Sequence, residues 1–282
     1  MPFSLSGHLV DAASGLDRDG DLVVEEGRIS ACLPRGEGPS PRLELADLRV
    51  MPGLIDLHTH LRTPGQEHKE DLTSGGKAAA RGGFTTLVCM PNTTPALDSP
   101  SIVRELRARA AVECLVDVLI AASLTVRNEG VALTDFPALA AAGARALSDD
   151  AFPMQDPALM REAMLRAKEA GLPLILHCED KALSGGVIHQ GPWAERLGVA
   201  GIPASAEEVA VARNALLAVE TAATAHLTHL TTPRSLDVVT QAKAWGGAVT
   251  GDVCPQHLLL SVEDVEKLGS VAKVNPPLRP RD

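Results

Sequence analysis

The sequence predicts an α/β fold: a small N-terminal β module over residues 1–52, then a TIM-type (β/α) barrel over 53–282 that is incomplete in this chain. Three observations lead there. From residue 53 onward, strand-like runs alternate with helix-like segments, which implies parallel strands wound in series, and eight such units would close a barrel. No helix separates the strand-like runs of the first 50 residues, so they read as a separate module. Polar residues recur at the carboxyl ends of different strands, which in such a barrel converge on one mouth.

In the module, Leu22-Val23-Val24, a Glu25-Glu26-Gly27-Arg28 turn and Ile29 read as a hairpin, Gly36 to Pro41 as a loop, and Leu43-Glu44-Leu45 as an alternating strand. The barrel strands are expected at 54–60, 85–90, 115–121, 144–147, 172–176, 225–228 and 248–253. Between them, Asp71 to Arg81 reads as a helix weakened by Gly75-Gly76 and ended by Gly82-Gly83. Ser99-Pro100, Asp156-Pro157 and Thr232-Pro233 each supply a cap and a proline that open a helix. Ser205-Ala206-Glu207-Glu208 reads as a capping box, followed by an apolar face of Val209, Ala212, Leu216 and Val219.

Composition narrows the function. The chain has 282 residues, 45% of them hydrophobic, enough to bury a full core. A net charge of -10 with only seven lysines argues against nucleic-acid or anionic-membrane surfaces, and no apolar run approaches a membrane span. Five widely spaced cysteines with no Cys-x-x-Cys pair read as reduced thiols, which points to a cytoplasmic protein. A small anionic substrate would therefore need locally placed positive charge.

The stretch Leu54-Ile55-Asp56-Leu57-His58-Thr59-His60 ends in two histidines one residue apart. Side chains two apart on a strand share a face, so the imidazoles of His58 and His60 can chelate one ion. Histidine and carboxylate ligands at a site open on one side suit a catalytic zinc-type ion. Asn92, Asp150, His177 and His229 fall at other strand ends. Singly, Asn92 also fits a turn former, Asp150 a cap and His177 a buried histidine; together they outline one site. His68 and His189 read as loop residues, His8 as part of the module, His226 as structural, and His257 gains no role.

Gly53 to Gly65 with Lys69-Glu70-Asp71, Cys89-Met90-Pro91-Asn92-Thr93, Ser148-Asp149-Asp150, His226-Leu227-Thr228-His229 and Lys273 to Arg279 together resemble the dihydroorotase family of the amidohydrolase superfamily. The resemblance runs along essentially the whole chain. It implies two Zn2+ ions, one on His58 and His60 and one on His177 and His229, with Asp150 bridging them. Arg62, Asn92 and Asn275 would hold the carboxylate and ring polar groups of the substrate. Arg62 could instead pair with Glu67 or Glu70. The implied reaction is the reversible conversion of dihydroorotate and N-carbamoyl-aspartate in pyrimidine biosynthesis, by attack of a metal-activated water on a ring amide.

Two departures qualify it. Many relatives bridge their metals with a carboxylated lysine, but no lysine lies between Lys77 and Lys168, so an aspartate must serve. Asp149 competes with Asp150 for that role, and the resemblance alone prefers Asp150. The family's eighth strand, with its acid/base aspartate, would lie beyond residue 282, so a fragment with metal binding but little turnover is expected. Allantoinase or hydantoinase-like activity, and a non-catalytic structural homologue, stay open beside it. The implied partners are further copies of the chain and aspartate transcarbamoylase.

Overall fold

A computed structural model of the chain describes residues 1–281. It divides into two compact units, Met1–Leu54 and a larger one from Ile55 on. In the first, β1 (Phe3–Asp11), β2 (Leu16–Glu25), β3 (Arg28–Leu33) and β4 (Arg42–Val50) form a sheet in the order β3-β2-β1-β4. β1 pairs antiparallel with β2 and parallel with β4. β1 escaped the sequence reading because Ser4 and Ser6 take two of its buried positions, so the strand lacks a hydrophobic alternation. The buried polar groups are partly satisfied locally: the Ser4 hydroxyl donates to the Pro39 carbonyl at 2.7 Å, and buried Asp21 accepts from the Gly36 and Gly38 amides.

The second unit carries a seven-stranded sheet: β5 (Leu54–Thr59), β6 (Phe84–Cys89), β7 (Asp117–Ser123), β8 (Ala146–Ser148), β9 (Leu174–His177), β12 (Ala225–Thr228) and β13 (Val249–Gly251). A separate parallel pair, β10 (Ile188–His189) and β11 (Gly201–Ile202), lies between β9 and β12 in the chain. Strands of the large sheet neighbour one another in chain order, as in a barrel, with β5 and β13 at its two edges. One of its faces packs on helices: Leu87, Ile120, Leu147, Leu174 and Leu227 share a core with Val103, Leu106, Met160, Met164 and Val211. The opposite face carries a second cluster of Val88, Met90, Ala121, Ala146 and Ile175. Strand periodicity extends that inner row to the site: Ile175 precedes His177 by two, and Met90 precedes Asn92 by two.

The helices are α1 (Leu72–Arg81), α2 (Pro100–Glu113), α3 (Phe136–Ala142), α4 (Pro157–Glu169), α5 (Pro192–Leu197), α6 (Ser205–Thr221) and α7 (Pro233–Ala244), followed by shorter segments. Asp71, Asp156 and Thr232 cap α1, α4 and α7 through their side chains. Helix α6 departs from expectation. Its N-cap is Ala204, Ser205 lies inside the helix, and no side-chain cap bond forms. Its buried face is Ala206, Ala210, Val211, Asn214, Ala215 and Ala218, whereas Val209 and Leu216 are exposed. Alanines allow close packing against the neighbouring helices, and that outweighs the larger apolar side chains one position away. Among the described residues, no helix is long and apolar enough to cross a membrane.

The glycines that weaken α1 have a packing reason. A Cβ on Gly76 would lie 2.6 Å from Cys114 Sγ and 2.9 Å from the Leu115 backbone nitrogen, and one on Gly75 would lie 2.5 Å from Leu61 Cδ2. Alanine would gain about 1 kcal/mol of helix propensity, but overpacking of this kind costs roughly 1–3 kcal/mol. Gly76→Ala is therefore expected to lower the urea midpoint of unfolding. A raised midpoint would show that the contact relaxes and that the glycine is not required.

Candidate functional site

The carboxyl ends of the strands open onto a cavity of about 750 Å³. His58, His60, Arg62, Asn92, Asp150, His177, His229 and Asn275 all line it, so every residue singled out for the site in the sequence faces one space. The imidazoles form a continuous series. Ring centroids are 5.1 Å apart for His58 and His60, 5.2 Å for His58 and His229, and 4.7 Å for His177 and His229.

Asp150 is 3% exposed and sits beside the first pair, with His58 Nε2 2.8 Å from one carboxylate oxygen and His60 Nε2 3.8 Å from the other. Ligand atoms of His58, His60 and Asp150 all lie within 4.8 Å of one another, a grouping that could hold a metal ion. Across the site, His177 Nδ1 and His229 Nε2 face each other at 2.9 Å. Three further ring nitrogens are anchored: His58 Nδ1 to Thr228 Oγ1 at 2.9 Å, His60 Nδ1 to Asn92 Oδ1 at 3.1 Å, and His177 Nε2 to Glu179 Oε2 at 2.8 Å.

Electrostatics shift His60, His229 and Asp150 towards the states a cation needs. Burial pushes His60 below the ordinary histidine value, helped by the charges of His58 and Arg62. Burial and the nearby His177 and His58 push His229 well below it. Burial alone would raise the Asp150 carboxyl, but the hydrogen bond from His58 and the surrounding imidazoles hold it well below the usual carboxylate range. Neutral imidazoles beside an ionised carboxylate are the ligand forms that divalent metals require. Asp149 has the opposite fate. Burial pushes its carboxyl up to about 6, although Thr125 opposes this by donating its amide (2.9 Å) and hydroxyl to the two oxygens. Its lone pairs are therefore engaged away from the imidazoles.

Three residues at the mouth, Arg62, Asp150 and His229, have left-handed backbones, with φ of 54°, 44° and 43°. Such conformations cost about 1–3 kcal/mol each in non-glycine residues and cluster at functional sites. β5 ends at Thr59 and the chain turns at Arg62, so the two-residue strand period does not bring Arg62 beside His60. The turn does. The Arg62 side chain makes no hydrogen bond or ion pair among the described residues, while Glu67 pairs with Arg109 and Glu70 accepts from Ser74. Asn92 donates to Asp150 as well as contacting His60, and Asn275 is exposed at the cavity.

Sequence reasoning missed three supporting residues. Glu179, 8% exposed, joins His177 to Lys181. Thr228 contacts His58, and Asp252, just beyond β13, accepts from Thr228 and from the His229 amide. Each stands within two residues of a strand end, which is the one signal that could have marked them. Of the histidines set aside, His226 bonds Asp252 and Thr250, His257 bonds the Pro276 carbonyl, and His189 lies in β10 rather than in a loop, 3.0 Å from Arg279.

The model of the Dihydro-orotase-like family matches residues 48–235. Over 270 residues the chain is 43% identical to a dihydroorotase from Staphylococcus epidermidis, covering 94% of this chain and 64% of that protein. This chain belongs to the dihydroorotase-like family. A second dihydroorotase relative, from Aquifex aeolicus, is 37% identical over 282 residues, covering 98% of this chain and 66% of its own length. The dihydroorotase-like chain thus spans about 64% of the length of the Staphylococcus relative. Its fold is that of an L-hydantoinase (dihydropyrimidinase) from Arthrobacter aurescens, with a TM-score of 0.84 at 22% identity over 99% of this chain and 64% of that one. A dihydropyrimidinase from Brevibacillus agri gives 0.80 at 23% identity, over 100% of this chain and 64% of that one. These likenesses place the seven-stranded sheet in the same fold as those two structures.

The contrast between the two aspartates generates a test. Asp150→Asn is expected to lose bound metal, because a neutral amide replaces the carboxylate between the imidazoles, whereas Asp149→Asn should keep it. Elemental analysis of both purified variants checks this. Metal lost on Asp149→Asn and kept on Asp150→Asn would reverse the assignment.

Proposed function

We propose that this chain forms the zinc-binding catalytic region of a dihydroorotase, interconverting dihydroorotate and N-carbamoyl-aspartate in pyrimidine biosynthesis. The observation that carries the reading is the convergence of His58, His60, Asp150, His177 and His229 on a cavity that also holds an unpaired Arg62. In this reading His58 and His60 would hold one zinc and His177 and His229 a second, with Asp150 as the carboxylate ligand. All five donors are imidazole or carboxylate, the set that suits zinc. Bound zinc would polarise a ring amide carbonyl and make a water nucleophilic at neutral pH.

The chain's own residues supply orientation and charge. The guanidinium of Arg62 offers a planar fork to the substrate carboxylate, capturing at close range an anion that a net charge of -10 repels at long range. Asn92 spends one amide proton on Asp150 and one oxygen lone pair on His60, which leaves one of each for a ring N–H or C=O. Asn275 faces the same cavity from the opposite end of the chain. An uncharged ring would leave Arg62 without a partner, which favours dihydroorotate over a hydantoin or allantoin. Association into homo-oligomers and with aspartate transcarbamoylase, and a cytoplasmic location, belong to the same proposal. All five cysteines are free, which fits a reducing compartment.

In the full-length protein, Arg62→Lys is expected to raise KM for dihydroorotate by roughly tenfold to a hundredfold, since an ammonium cannot make the bidentate contact and a charged hydrogen bond is worth about 1.5–3 kcal/mol. Turnover of dihydrouracil, which lacks the carboxylate, should stay slow and unchanged. Equal slowing of both substrates, or no change in either, would remove the carboxylate-clamp role and favour an allantoinase-like activity.

A further inference from the structure

We infer that Asp252 is a positioning residue for the proposed metal centre, acting through Thr228 to orient His58 with Nδ1 as a donor and through the His229 amide to hold that residue's backbone. The inference rests on the reading above only where it concerns metal. The hydrogen-bond chain itself stands on geometry.

The Asp252 carboxylate receives three donors from one stretch of chain. His226 Nε2 lies 2.9 Å from Oδ2, the Thr228 hydroxyl 3.2 Å from Oδ1, and the His229 backbone amide donates to Oδ1. These donors leave the Asp252 oxygens as acceptors, so the single hydroxyl hydrogen of Thr228 is given to them. What remains on Thr228 Oγ1 are lone pairs, and His58 Nδ1 stands 2.9 Å from it. His58 can complete that contact only as a donor, which puts a proton on Nδ1. With Nδ1 occupied in this way, Nε2, which faces Asp150 at 2.8 Å, is the nitrogen left to serve as a ligand.

The second arm concerns backbone. His229 adopts φ of 43°, a conformation a non-glycine residue holds only when its surroundings require it. The bond from its amide to Asp252 is one such requirement, and the Leu230 amide donating to the Asp252 carbonyl at 2.9 Å is another. One residue after β13 thus orients imidazoles from two strands, β5 and the end of β12. Partners of this kind commonly change metal affinity by 10–100-fold when removed.

Long-range 1H–15N spectroscopy of the metal-free protein reads the histidine tautomers directly, without activity or zinc. The expected result is an Nδ1–H His58 in the wild type, retained in Thr228→Ser and lost in both Asp252→Asn and Thr228→Val. Competition with a chromogenic chelator should then show zinc bound about 10–100-fold more weakly in those two variants, with Asp252→Asn/Thr228→Val no weaker than the worse of them. If Asp252→Asn does not fold, Thr228→Val alone still interrupts the chain. A His58 with no proton on Nδ1 in the wild type, or an Nδ1 proton unchanged in Thr228→Val, would overturn the inference. The expected Nδ1 proton in a wild type that binds no zinc would support the hydrogen-bond chain and remove the metal reading instead.

Discussion

A carboxylate as buried as Asp150 needs compensating charge, and the arrangement of the mouth follows from that requirement. Leaving one partner of a buried charge unpaired costs several kcal/mol, and Asp150 meets this with His58 at 2.8 Å and with His60 and Asn92 around it. Burial lowers the values of His60 and His229, and so favours in these two the neutral form that a metal ligand takes. Strained backbones at Arg62, Asp150 and His229 belong to the same picture, because they persist only where surrounding bonds over-determine them.

The polar scaffold around the imidazoles is as ordered as the imidazoles themselves. Thr228, Asn92 and Glu179 each engage one ring nitrogen and leave the other directed at the cavity or at a neighbouring ring. Asp149 works from outside, tying the loop after β7 to the end of β8 through Thr125. Two adjacent aspartates are thereby separated in role by their surroundings, one beside imidazoles and one beside a threonine.

Much of this was legible in the sequence where physics leaves a periodic trace. The paired histidines at the end of β5 and the strand-helix alternation placed most of the site at one mouth, because period-two strands wound in series bring their carboxyl ends together. Other features leave no such trace. β1 buries serines where hydrophobes were sought, and α6 buries alanines while Val209 and Leu216 face outward, so hydrophobicity pointed to the wrong face. Glu207 looked like part of a capping box, but its buried carboxylate accepts from Thr231, Thr232 and Ser235 across the chain. Glu179 and Asp252 act through hydrogen bonds to residues distant in sequence or hidden in a strand register, and composition carries no mark of that. The approach of Arg62 to the cavity comes from a left-handed turn that no alternation rule describes.

Relatives at 37–43% identity are named dihydroorotase, and solved structures at 22–23% identity with the same fold are named hydantoinase or dihydropyrimidinase. The central claim for this chain is that four imidazoles and Asp150 together hold two metal ions. Elemental analysis of the full-length protein, purified without chelator and supplied with zinc, tests it most directly. The account predicts close to two zinc equivalents per chain, falling to one or none in His177→Ala. One equivalent or none in the wild type would contradict the two-metal site.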